Sequence, residues 1–184
     1  MVAAAVMLRS FPLAVRIDDS KRLTPGQRAR AFHEILARGD VGFGIVCAGD
    51  IDRLNILQAT LLAMRQAVDE LPRRPSLVVV DGAQAPAWDL PSWPLIRGDA
   101  RNYAVACASI MAKVLRDGLM EYYDGLAPSY GFKRHKGYGT ALHARRLGAL
   151  GPSVFHRRSF RPVLESLQPV SSRPVPAHAP LAAV

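Results

Sequence analysis

Apolar residues at Ile51, Leu54, Leu57, Leu61, Met64, Val68 and Leu71 recur at intervals of three and four and stop at Pro72. That period predicts one amphipathic helix over residues 51–71, with the proline closing it. A helix with a single apolar stripe has to bury it against a second layer. The flanking segments supply one: residues 41–48 (VGFGIVCA) and 76–80 (SLVVV) are short continuous apolar runs of the kind that form buried strands. Strand, helix and strand in succession predict an α/β layered domain.

The rest of the chain extends this pattern. Residues 2–8 (VAAAVML) read as a further strand. Thr24-Pro25-Gly26-Gln27 has the chemistry of a helix start, with Thr as N-cap, Pro at the first helical position and Gln three residues after the cap. That helix is expected to turn Phe32, Ile35 and Leu36 inward and to end at Gly39. A long helix from about Tyr103 to Tyr123 carries small residues at Ala104, Ala106, Ala108 and Ala112, which allow close approach to a sheet. A basic helix is expected around residues 140–150. One domain over residues 1–167 is predicted, followed by a Pro- and Ala-rich tail over 168–184 whose composition predicts disorder.

Composition narrows the function. The net charge of +9 favours a polyanionic partner. An anionic membrane surface is the other class that such charge serves, but no basic amphipathic helix with an aromatic face is present to use it, and no apolar run reaches the length that spans a bilayer. The two cysteines, Cys47 and Cys107, are far apart and lie in apolar runs. They predict buried free thiols and exclude a disulfide framework or a zinc cluster. A cytoplasmic monomer with no membrane association is the expectation.

Two acidic residues sit where chemistry gathers in layered folds. Asp81 ends an apolar strand, and the carboxyl ends of strands are where α/β sheets collect ligands, although Asp-Gly also serves as plain turn chemistry. Asp99 follows a second apolar segment and is placed to reach the same sheet end. Such a pair suits Mg²⁺ or a similar hard cation. Asp117, beside Arg116, reads as an ion pair on a helix face. The segment YGFKRHKGYGT at residues 130–140 interleaves basic residues with aromatics and glycines, a pattern that serves phosphate contact and stacking or else a solvated loop. His156-Arg157-Arg158 adds a second basic cluster.

Taken in order, these pieces resemble the ribonuclease HII family. DDSKRLTPGQR (18–28), DIDRLNILQATLLAM (50–64), VVVDG (78–82), Gly98-Asp99, ASIMAKVLRD (108–117), YGFKRHKGYGT and FHRRSFRPV (155–163) are each similar to a family motif. The resemblance spans residues 2–167. It implies an RNase H-like mixed five-stranded sheet flanked by helices. It also implies cleavage of RNA in RNA–DNA hybrids, and at single ribonucleotides embedded in duplex DNA, by two-metal-ion hydrolysis with Mn²⁺ or Mg²⁺. On the same basis Asp81 and Asp99 match the third and fourth of four acidic ligands, and Tyr138 matches a tyrosine that packs on the junction sugar. Lys21, Lys113 and Lys136 match basic positions suited to phosphate contact, and Asp117 is structural. Arg97, Arg101-Asn102 and Cys107 depart from the usual Lys, Lys-Ser and Ala.

The larger departure concerns the family's opening Asp-Glu and Gly-Arg-Gly, which the resemblance assigns to metal binding and to reading the ribose 2′-OH. Neither has a counterpart here; Asp69-Glu70 and Asp18-Asp19 belong to other motifs. The opening Met-Val-Ala-Ala-Ala-Val coincides with the family's link Pro-Val-Val-Ala-Ala-Ala-Val. The expectation is that a central strand is missing, leaving its neighbours with unpaired backbone groups, and that the chain as written is inactive. Two alternatives follow: a coding frame that opens further upstream, or a catalytically silent nucleic-acid-binding protein.

Overall fold

In a computed structural model of the chain, residues 1–167 are described; the tail expected at 168–184 lies outside them. The elements are β1 (Val2–Leu8), α1 (Pro25–Arg38), β2 (Gly39–Ile45), α2 (Ala48–Leu54), α3 (Ile56–Asp69), β3 (Val78–Asp81) and β4 (Ser92–Leu95). A short 3-10 turn follows (Gly98–Ala100), then α4 (Tyr103–Leu126), α5 (Phe132–His135), α6 (Ala141–Leu150) and α7 (Arg161–Leu167). The mixed α/β class is as the sequence predicts.

The sheet is divided. β1 pairs antiparallel with β2, from Val2 opposite Ile45 to Leu8 opposite Gly39. β3 pairs parallel with β4, from Val78 opposite Ser92 to Asp81 opposite Leu95. Each pair is a separate two-stranded sheet, so the five-stranded sheet that the resemblance implies is not formed among the described residues. Hydrogen bonding stops at β1 and β3, which face each other across a groove.

The capping chemistry of α1 forms in full: Thr24 accepts from the Gln27 N–H while the Gln27 side chain accepts from the Thr24 N–H. Ile35 is completely buried, but Leu36 is 43 % exposed, because the inward face is set by Ala31 and Ile35, four residues apart. Together with Leu13, Leu23, Cys107, Ile110 and Met111 these residues form the main core, packed on one face of the β1–β2 sheet.

The helix expected over 51–71 is two helices. Asn55, at φ 72°, breaks it and caps α3 by accepting from the N–H groups of Leu57 and Gln58. The buried stripe differs too. Ala59, Ala63 and Ala67 are fully buried, whereas Leu54 and Leu57 are 39 % and 47 % exposed. The reason lies in β2. A Cβ built on Gly44 would stand 1.8 Å from the Ala63 carbonyl oxygen, and one on Gly42 would stand 2.1 Å from that of Ala67. Alanine on the helix and glycine on the strand let the two backbones touch, and this contact outranks the leucines. Cys107 is buried as expected, but Cys47 is exposed and serves as the N-cap of α2.

Candidate active site and nucleic-acid face

Asp81 is the last residue of β3, and its Oδ1 accepts a 2.8 Å hydrogen bond from the Gly98 N–H. Arg97 adopts a left-handed conformation, φ 58° and ψ 42°, which turns the chain into the 3-10 turn that carries Asp99. Gly98 is closely held: a Cβ there would meet Val105 Cγ1 at 3.1 Å and Asp81 Oδ1 at 3.4 Å. One hydrogen bond therefore ties the two aspartate-bearing segments together. The Asp99 carboxylate is 13 % exposed, with the Lys21 ammonium 3.9 Å away on a side chain that is 79 % exposed.

Oxygen donors from adjacent elements suit a hard divalent cation. Mg²⁺ is commonly held by one or two carboxylates, with water and substrate phosphate completing the shell. Asp81 and Asp99 fit that smaller role. Among the described residues no group of three or more His, Cys, Asp or Glu is placed to enclose a metal.

A second cluster is built on α4. Tyr138 is 54 % exposed, with the Arg116 guanidinium 4.7 Å and the Lys113 ammonium 5.5 Å from its ring centroid. Arg116 also donates to the Lys136 carbonyl at 2.8 Å. Its other terminal nitrogen is buried with no hydrogen-bond partner among the described residues, and the Asp117 carboxylate 4.0 Å away and the ring face compensate it. Lys136 (φ 50°) and Gly137 (φ 76°) make the left-handed turn that lays Tyr138 over the helix. The three lysines differ in availability. Lys113 pairs with Asp117 at 2.9 Å, and Arg116 reaches the same carboxylate oxygen at 4.0 Å, so the expected Arg116–Asp117 pair is present beside a closer one. Lys136 is 18 % exposed and reaches Glu121 at 2.7 Å and the Asp117 carbonyl at 3.1 Å. Lys21 is the most exposed of the three, its ammonium in contact only with Asp99 at 3.9 Å among the described residues. Lys133 and Arg134 on α5 are exposed as well.

Histidines underpin this face, a feature the sequence reading missed. His143 Nδ1 lies 2.9 Å from the Tyr138 carbonyl, so that nitrogen carries the proton and donates. His143 Nε2 is then an acceptor, and His156 Nε2 donates to it across 3.0 Å. His156 Nδ1 accepts in turn from the Ser153 N–H at 3.0 Å and the Ser153 hydroxyl at 2.8 Å. His135 stacks on His143 with ring centroids 4.1 Å apart, Nε2 donating to the Tyr130 carbonyl and Nδ1 accepting from the Gly137 N–H. Every ring nitrogen is used, and each ring is neutral. Three histidines within 22 residues of an aromatic-rich stretch were the available signal; burial was not readable from spacing.

Burial, and then the neighbouring His143, depress the His156 pKa to about 4. Burial likewise lowers that of His143. Because the folded pKa lies below the unfolded value of about 6.5, this stability is complete above about pH 6.5 and is lost as pH falls toward about 4. The thermal midpoint is expected to decline through that window. His156→Asn is expected to remove the upper part of the decline, above the range where carboxylates titrate; an unchanged profile in the variant would contradict the assignment.

Asp52 on α2 docks the C-terminal segment, accepting from the N–H groups of Arg158 at 2.6 Å and Ser159 at 2.8 Å. Burial would raise its pKa, but these donors and the Ser159 hydroxyl outweigh it and hold the carboxyl below its ordinary value.

The family profile described as Ribonuclease HII matches residues 1–163. The chain is 49 % identical over 169 residues to the Ribonuclease HII of Verminephrobacter eiseniae, covering 91 % of this chain and 80 % of the relative. It is 48 % identical over 173 residues to that of Chloroflexus aurantiacus, covering 91 % and 82 %. Among solved structures, the ribonuclease H2 of Pyrococcus horikoshii superposes with a TM-score of 0.69 at 19 % identity, over 90 % of this chain and 97 % of that one. The Archaeoglobus fulgidus RNase HII, solved in complex with PCNA, gives 0.63 at 21 % identity, over 85 % and 84 %. These two structures share the fold, and the sequence matches establish the relationship: this chain belongs to the ribonuclease HII family.

Proposed function

We propose that the protein is an endoribonuclease that cuts the RNA strand of RNA–DNA hybrids and nicks duplex DNA at single ribonucleotides, leaving 5′-phosphate ends. The observation that carries this reading is the Gly98 hydrogen bond that ties Asp81 to the turn bearing Asp99, with the Lys21 ammonium 3.9 Å from the Asp99 carboxylate. Mg²⁺ or Mn²⁺ at the two carboxylates supplies positive charge for activating water and for stabilising a leaving 3′ oxygen. The chain's own groups do the rest. Gly98 fixes the rotamer of Asp81, Lys21 offsets the charge of Asp99 until substrate arrives, and Tyr138, held by Arg116 and Lys113, presents a flat surface to a sugar. No helix among the described residues is long and apolar enough to cross a membrane.

A second reading has one observation in its favour. Two carboxylates are fewer than a metal-enclosing cluster needs, and the described residues supply no third. On that reading the chain binds hybrids without cutting them. Cleavage of a duplex carrying one ribonucleotide, with and without Mn²⁺, separates the two. Both readings predict salt-dependent binding. If Lys21 meets a phosphate, Lys21→Ala lowers the slope of log K against log salt by about 0.9 and weakens all duplexes alike. A slope unchanged by the substitution would remove Lys21 from the interface.

A further inference from the structure

His135, His143 and His156 are three of the five buried polar or charged side chains among the described residues, and the chemistry above uses none of them. Burying an imidazole costs its hydration, and an apolar ring would fill the same space without that cost. What an apolar ring cannot do is donate or accept, and the bonds of this stack converge on one turn. The Tyr138 N–H donates to the His135 carbonyl at 2.9 Å. The Tyr138 carbonyl accepts from the Thr140 N–H at 2.8 Å and from His143 Nδ1 at 2.9 Å. Just ahead of it, Lys136 holds a left-handed φ of 50°, a conformation that a side-chain-bearing residue keeps only where its surroundings enforce it. The Tyr138 ring is 54 % exposed and rests on the flexible side chains of Arg116 and Lys113, so its backbone decides where it stands.

We propose that His143 is a positioning residue for Tyr138. It fixes the Tyr138 peptide group, and through the ring it sets how strongly the protein prefers a duplex with one ribonucleotide to a duplex of DNA alone. The proposal rests on the reading of Tyr138 as the group that meets a sugar. The direction of the hydrogen bonds suits His143 to this role. The Ser153 N–H donates to His156 Nδ1, which leaves the His156 proton on Nε2. That proton is donated to His143 Nε2, which leaves the His143 proton on Nδ1, facing the Tyr138 carbonyl. The other tautomer of His143 would set two N–H groups against each other across 3.0 Å and two lone pairs across 2.9 Å. The tautomer that holds Tyr138 is therefore selected from the far end of the stack.

Two homologous amides separate the two ring nitrogens. The amide nitrogen of asparagine takes the place of Nδ1 and still donates to the Tyr138 carbonyl. In glutamine, one carbon longer, the amide takes the place of Nε2 and answers His156 instead. The readout is the Kd of the full chain in EDTA for an all-DNA duplex, divided by its Kd for the same duplex with one ribonucleotide. His143→Gln is expected to lower this preference about threefold to tenfold, the worth of one hydrogen bond. It is also expected to speed amide exchange at Thr140, whose N–H shares the Tyr138 carbonyl. His143→Asn is expected to stay within about twofold of the native chain in both. Leu147→Ala, one turn further along α6 and outside the hydrogen-bonded chain, is expected to lower the thermal midpoint and leave the preference alone. Tyr138→Ala is measured beside them. If it leaves the preference unchanged, Tyr138 does not meet the sugar, and that reading falls together with the proposal. If it lowers the preference while the Asn and Gln variants act alike, the reading stands and the proposal is overturned. Nitrogen-15 spectra of the native chain need no variant: they are expected to show His143 protonated on Nδ1 and bare on Nε2, and the opposite tautomer would overturn the proposal.

Discussion

Asp81→Asn is expected to remove cleavage while leaving duplex binding in EDTA within about twofold of the native chain. The substitution is nearly isosteric, and asparagine can still accept the Gly98 N–H through its Oδ1, so the tie to the Asp99 turn survives. What disappears is one of the two negative charges available to a cation. A metal ligand contributes several kcal/mol to stabilising charge that develops in the reaction, which corresponds to a loss on the order of a hundredfold to a thousandfold in rate. Asp81 is exposed, so losing its charge leaves the core intact. Measuring rate and binding on the same ribonucleotide-containing duplex checks both halves. A variant that cuts normally would remove Asp81 from the site, and one that unfolds would make its role structural.

The second large effect belongs to the fold. Gly44→Ala is expected to destabilise the protein by about 4 kcal/mol or more, lowering its thermal midpoint by about 8–16 °C. A methyl group at that position would lie 1.8 Å from the Ala63 carbonyl oxygen and 2.7 Å from its carbon. Backbone atoms cannot step aside as a flexible side chain does, so α3 must lift from β2. That also separates Ala59 and Ala63 from Val46 and Ile51, the residues of the smaller core. Gly118→Ala is the internal control. It lies in α4 with nothing within 4 Å of the added carbon, and alanine is the better helix former, so the midpoint should rise slightly. Equal effects at the two positions would contradict the close-approach account.

That contact also shows where sequence reading reached and where it stopped. The Thr24 capping box, the Asp81 strand end and the Gly98-Asp99 turn depend on local chemistry, and all were legible. The leucine stripe was a weaker guide, because burial on α3 is decided by the glycines of a different element, and Asn55 interrupts the period at a single positive-φ residue. Cys47 looked buried in its apolar run but caps a helix instead. In the candidate site, the positions of Asp81, Asp99 and Tyr138 followed from motifs in order. What Lys136 and the three histidines do there did not, since Glu121 and the facing rings reach them only through tertiary packing, whereas Lys113 pairs with Asp117 one turn along the same helix.

The most direct test of the central claim is cleavage by the native chain of a DNA duplex carrying one ribonucleotide, followed over a Mn²⁺ titration with binding measured in parallel. The account predicts a nick at the ribonucleotide that depends on Mn²⁺, against the inactivity that the missing opening Asp-Glu implies, with a rate still rising at high metal concentration because two carboxylates hold the cation weakly. Retained, salt-sensitive binding with no nick at any Mn²⁺ concentration would contradict it and leave a protein that holds such duplexes without cutting them.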